Sequence, residues 1–127
     1  MDQSENTKPD LTFLEGAICT KIEFGEPEQW SFHFGENVFL HVGCLWRIIS
    51  NNRIELTNLD HKQKFGLPKP VDAREQLRDI IFNQEISTFT IRKVTSDIVI
   101  IFRNRVILEI LTNSSGYESW QLSYPNG

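Results

Sequence analysis

Cysteine is scarce in this chain: Cys19 and Cys44 can form one bridge at most, and neither belongs to a Cys-x-x-Cys pair. A disulfide framework and a zinc ribbon are thereby excluded, and in a reducing compartment both residues are expected as buried thiols. Glycine is dispersed over seven positions with no Gly-x-Gly-x-x-Gly or Walker-type order, so no phosphate-cradling loop is expected. No apolar run approaches the roughly 18 residues of a membrane-crossing helix, and no secretory signal order opens the chain. A cytoplasmic protein without a membrane partner is the expectation. Basic charge is also lacking: the net charge is −4, which offers phosphates little attraction and argues against nucleic acid as partner.

What is present is a core in the making. Of 127 residues 39% are apolar, with three Trp, two Tyr and nine Phe, too apolar and aromatic for a disordered chain. The acids concentrate early, where residues 1–30 hold Asp2, Glu5, Asp10, Glu15, Glu23, Glu26 and Glu28 against Lys8 and Lys21. A solvated acidic surface explains this without any partner; a basic partner would be drawn to the same region. Residues 1–9 carry almost nothing apolar and are expected to be mobile. Residues 10–127 read as one domain, with a first half at about 13–57, a connector at about 58–82 and a second half at about 83–124.

The halves are related by a repeat. At a constant offset of 68, Phe13 aligns with Ile81, Ile18 with Ile86, Trp30 with Ile98, Phe32 with Ile100, Phe34 with Phe102, Leu40 with Leu108 and Val42 with Ile110. After six extra residues in the second half, Trp46-Arg47-Ile48 finds its counterpart in Trp120-Gln121-Leu122. Each half alternates as a hairpin, turning at Gly35-Glu36-Asn37 and at Arg103-Asn104-Arg105. In the first, Trp30, Phe32, Phe34, Val38, Leu40 and Val42 share one face and Ser31, His33, Phe39 and His41 the other. The second is apolar on both: Val99, Ile101, Ile107 and Leu111 oppose the core face, interrupted by Glu109. That extra face demands a cover, either a helix or another copy of the chain.

Between the halves, Pro68-Lys69-Pro70 ends a loop, Asp72 with Glu75 has the form of a capping box, and Ala73, Leu77, Ile80 and Ile81 make an apolar helical stripe. A helix over about 72–82 is predicted, and it is expected to cover the second hairpin. Strands are expected at 17–24, 53–57 and 87–94, with Trp46–Ile49 returning through an Asn51-Asn52 turn.

Chemistry is harder to find. His33 and His41 are diagonal neighbours on the first hairpin's outer face, and a zinc site would need a third ligand from Glu23, Cys44 or His61. Ordinary polar roles explain them better. Neither cysteine has a nucleophile signature, and Glu26 and Glu28 flank Pro27 in an exposed turn. No catalytic residue, metal or cofactor is expected. The distinctive segment is Tyr117-Glu118-Ser119-Trp120-Gln121-Leu122, read as a last strand in which Glu118, beside Trp120, takes Arg47 as its donor.

On Trp46-Arg47-Ile48 and this Tyr-Glu-x-Trp motif the chain resembles a family of small, uncharacterised bacterial proteins, a domain of unknown function with two β-rich halves, over about residues 14–124. Its long helical insertion departs from that pattern. The resemblance implies no activity and no catalytic residues; Trp46, Arg47, Tyr117, Glu118 and Trp120 are the candidate binding residues. In size and acidity the chain is also similar to immunity proteins that bind a cognate toxin. The expected fold is α+β, mainly antiparallel strands in two pseudo-symmetric halves joined by a helix-containing connector. The expected function is non-enzymatic protein binding, immunity-type toxin inhibition being one form, with a homodimer possible. A small-ligand site in an aromatic interior and an unrecognised enzyme are the alternatives.

Overall fold

The chain alternates apolar and polar residues in short runs separated by turn residues, and each run becomes a strand. The computed structural model describes residues 10–26, 28–112 and 119–125. A three-stranded meander comes first, with β1 (Cys19–Gly25), β2 (Gln29–Phe34) and β3 (Val38–Val42). Then follow β4 (Leu45–Ser50), β5 (Arg53–Thr57) and α1 (Ala73–Ile81). A second meander, β6 (Ile86–Ile91), β7 (Ile98–Phe102) and β8 (Ile107–Leu111), precedes β9 (Trp120–Ser123). All pairings between strands are antiparallel.

The expected hairpin registers are present. Trp30 opposes Val42 and Phe34 opposes Val38 in one, and Ile98 opposes Ile110 and Ile100 opposes Leu108 in the other. The likeness extends further than the aligned side chains. Both first strands carry a bulge at matching places, between Cys19 and Lys21 and between Ile86 and Thr88. Both hairpin turns also donate to the residue before their first strand, Gly35 N–H to the Ile18 carbonyl and Arg103 N–H to that of Glu85. These first strands match at an offset of 67, Cys19 with Ile86 and Lys21 with Thr88, because the connection from Ile91 to Ile98 is one residue longer than that from Phe24 to Trp30.

The fourth strand of each half crosses to the other. β4 follows β3 in sequence but pairs with β8, Trp46 opposite Ile110, whereas β9 follows β8 and pairs with β3, Trp120 opposite Val42. The sheets are therefore β1-β2-β3-β9 and β5-β4-β8-β7-β6. Trp46 and Trp120 do occupy related positions, each in the opposite half's sheet. Ala17 and Ile86 link the sheets at one corner, where Gly16 N–H donates to the Ile86 carbonyl and Ile86 N–H to that of Ala17.

The inner faces meet over an aromatic seam. The Trp30 and Trp46 rings stand edge to face at 5.1 Å and Phe32 meets Trp46 at 6.1 Å; Trp30, Phe32, Phe34, Trp46, Ile48, Ile98, Ile100 and Leu108 are all buried. Rings at that spacing and angle add to the burial itself. Among the described residues neither indole Nε1 has a hydrogen-bond acceptor, a cost the aromatic surroundings only partly offset.

Helix α1 forms where expected. Asp72 caps it by accepting the Glu75 N–H at 3.1 Å, and Ala73, Leu77 and Ile81 enter the core. Its packing corrects one expectation. The helix lies against β1, and Val99, Ile101, Ile107 and Leu111 stay partly exposed. The stripe finds its partners at the margin of the core beside β1, so nothing remains of it for the second hairpin's outer face. His61 anchors the helix start: its Nδ1 accepts the Ala73 N–H at 3.0 Å while its ring stands on Phe24 and Trp30. No helix among the described residues is long and apolar enough to cross a membrane.

The β4–β5 turn has left-handed backbone at both central residues, Asn51 (φ 56°) and Asn52 (φ 62°), as a two-residue hairpin of the right twist requires. Asparagine tolerates that conformation better than other side-chain-bearing residues. Asn52→Ala is expected to lower unfolding free energy by about 1 kcal/mol in urea, whereas Asn52→Gly keeps it. Equal midpoints for the two variants would show that the turn geometry is wrong.

Candidate functional site

The outer face of the five-stranded sheet is where polar alternation fails. Across it, residues in register fall into rows. Ile49 of β4 sits between Ile54 of β5 and Ile107 of β8, and Ile107 in turn opposes Ile101 of β7. Isoleucine thus continues unbroken over four neighbouring strands until Thr88 on β6. The next row reads Thr57, Arg47, Glu109, Val99 and Thr90. Beyond it Leu45 opposes Leu111. Ile54 is 51% exposed and the other aliphatics of these rows are partly so. β-Branched side chains suit a pleated surface, but a contiguous aliphatic patch in water is uncommon in a monomer and marks a contact surface.

The polar row is internally satisfied. Arg47 Nε donates to Glu109 Oε1 at 2.6 Å, and Arg92 reaches Glu109 at 3.6 Å and Asp97 at 3.2 Å. The Glu109 side chain is only 12% exposed, so its carboxylate would be costly without these guanidinium groups. Asp97 continues the network. Desolvation pushes its pKa upward, but the Thr112 and Thr95 hydrogen bonds together with Arg92 outweigh it and hold the carboxyl below its ordinary value. Two cations and two anions thus neutralise one another within the aliphatic surround.

The candidate residues separate in space. Trp46 is in the core and Arg47 on the outer face, since neighbours in a strand point to opposite sides. Arg47 donates to Glu109, the residue directly across the β4–β8 ladder. Tyr117 and Glu118 lie outside the described residues. Trp120, half-buried on β9, donates its Nε1–H to the Ser96 carbonyl at 2.7 Å. It borders a shallow cleft of about 280 Å³ with Gln29, His41, Gly43, Ser119 and Gln121.

His33 and His41 have separate partners, Glu23 at 2.9 Å and Ser31 at 2.7 Å, and no cluster of three metal-ligating side chains occurs among the described residues. Burial pushes the Cys19 thiol up to about 12 and the Cys44 thiol up to about 11, so neither supplies a thiolate near neutrality. The aromatic residues of the interior considered for a ligand are buried together in the core cluster. Sequence reasoning missed the Arg47–Glu109–Arg92–Asp97 network and the His61 anchor. The signal for the first was present in Glu109, the lone acid in an apolar strand. Comparisons of the chain with protein-family models, with curated proteins and with solved structures find no match.

Removing one partner of a desolvated pair costs more than removing both. Arg47→Met is expected to lose about 1–3 kcal/mol, and adding Glu109→Leu is expected to recover most of it. Urea denaturation at one fixed low protein concentration measures both; a double variant as unstable as Arg47→Met alone would show that Glu109 is not held by Arg47.

Proposed function

We propose that this chain is a non-enzymatic protein-binding module whose contact surface is the outer face of the five-stranded sheet. The observation that carries the reading is the row Ile54, Ile49, Ile107 and Ile101, aliphatic across four strands with no covering element among the described residues. Interface cores are apolar and poor in unpaired charge, and here the only charges within the rows already meet each other. The buried, protonated cysteines weigh against thiol chemistry. An immunity-type inhibitor of a cognate toxin is the narrower form of this reading. The acidic N-terminal region supports it by steering a basic partner, although Glu23 and Glu26 are on or beside β1 and not on the aliphatic face.

Site-specific photo-crosslinking tests the surface in cells that natively produce the chain. With p-benzoylphenylalanine at Ile101, a discrete protein adduct is expected on irradiation; with the same group at His33, on the other sheet's outer face, none is. Adducts from both positions alike, or from His33 alone, would overturn the assignment.

A further inference from the structure

We infer that in the free protein this face is closed by a second copy of the chain, packed face to face about a two-fold axis. The inference rests on the protein-binding reading and names the first occupant of the surface.

The rows carry it. A two-fold axis lying in the plane of contact, parallel to the strands and midway between β4 and β8, reverses the strand order β5-β4-β8-β7 of one copy over the other. Ile49 then falls over Ile107 of the second copy, and Ile54 over its Ile101. In the adjoining row the same operation sets Arg47 over Glu109 of the second copy and Thr57 over its Val99. In the last row Leu45 meets Leu111. One axis therefore satisfies each row at once: aliphatic on aliphatic, guanidinium on carboxylate. An isologous interface demands this self-complementarity, and a sheet with a single charge sign in that row would lack it. Glu109 keeps the Arg47 and Arg92 contacts of its own chain and gains a further guanidinium on its remaining exposed side, so no unpaired charge is buried.

The area agrees with a reversible contact. Four strands about 4.8 Å apart and five residues of about 3.3 Å give a footprint of about 20 by 16 Å per copy. With side-chain relief this buries about 1,000 Å² over both copies, at the lower bound for specific association and well below an obligate dimer. A heterologous partner would then compete with the second copy for the same isoleucines.

Sedimentation velocity on the intact chain from about 1 to about 500 µM is expected to show a monomer–dimer equilibrium with a dissociation constant in the micromolar range. Ile101→Asp is expected to weaken the dimer at least about tenfold, and so is Ile54→Asp, whose half-exposed edge position leaves the fold intact by circular dichroism. A wild-type chain monomeric at all concentrations overturns the inference, as does a dimer that survives both aspartate substitutions. Failure of this step is separable from failure of the reading beneath it. A monomeric chain that still gives a photo-adduct of foreign mass at Ile101 keeps the binding surface and loses the second copy; a monomeric chain with no adduct there loses both.

Discussion

The edge-to-face contact between Trp30 and Trp46 joins the two sheets, and it exists only because β4 leaves the meander it follows and pairs with β8. Had β4 continued on the edge of β3, where β9 lies instead, the two halves would each own an incomplete apolar face. Reciprocal exchange of the fourth strands gives them one core, in which Trp30, Phe32 and Trp46 are buried together. Gly43 and Cys44 make the crossing on one side, with the Gly43 N–H held by the Ser119 carbonyl of the opposite crossing. The two crossings thus brace one another by a backbone bond.

That arrangement decides what is left outside. The four-stranded sheet shows an outer face on which His33 is bonded to Glu23 and His41 to Ser31, with Phe39 packed against the His33 ring. The five-stranded sheet gains β5 beyond β4, which lengthens its outer face and adds Ile54 to a row that β4, β8 and β7 already supply. The helix cannot serve both places. Its stripe of Ala73, Leu77 and Ile81 is consumed beside β1, with His61 fixing its first turn. The aliphatic face follows from topology as well as from composition.

Much of the fold was legible because period-two alternation reports directly on which side chains share a face. The registers of Trp30 with Val42 and of Ile98 with Ile110, the Asn51-Asn52 turn and the Asp72 cap were all readable from short-range order. The repeated tryptophan marked related positions, but alignment of two halves is silent on whether a strand stays with its own half or crosses. For the same reason the Arg47–Glu109 pair was not foreseen: Glu109 is near Arg47 only once β4 lies on β8. The helix was assigned to the wrong face because its stripe and the outer isoleucines both lacked a partner in one dimension. Three dimensions supplied a different partner for the stripe. The double-sided apolarity of the second hairpin was nevertheless visible, and it is the feature on which the candidate site stands.

The most direct measurement is an isotope-filtered NOE experiment on a mixture of isoleucine-methyl-labelled and unlabelled chains at high concentration. If the outer face is the contact surface and a second copy occupies it, intermolecular NOEs appear at the methyls of Ile49, Ile101 and Ile107 and are absent at buried Ile48 and Ile100, one residue away on the inner side. Outer methyls with no intermolecular NOE, in a sample where the chain is associated, would place the interface elsewhere and contradict it.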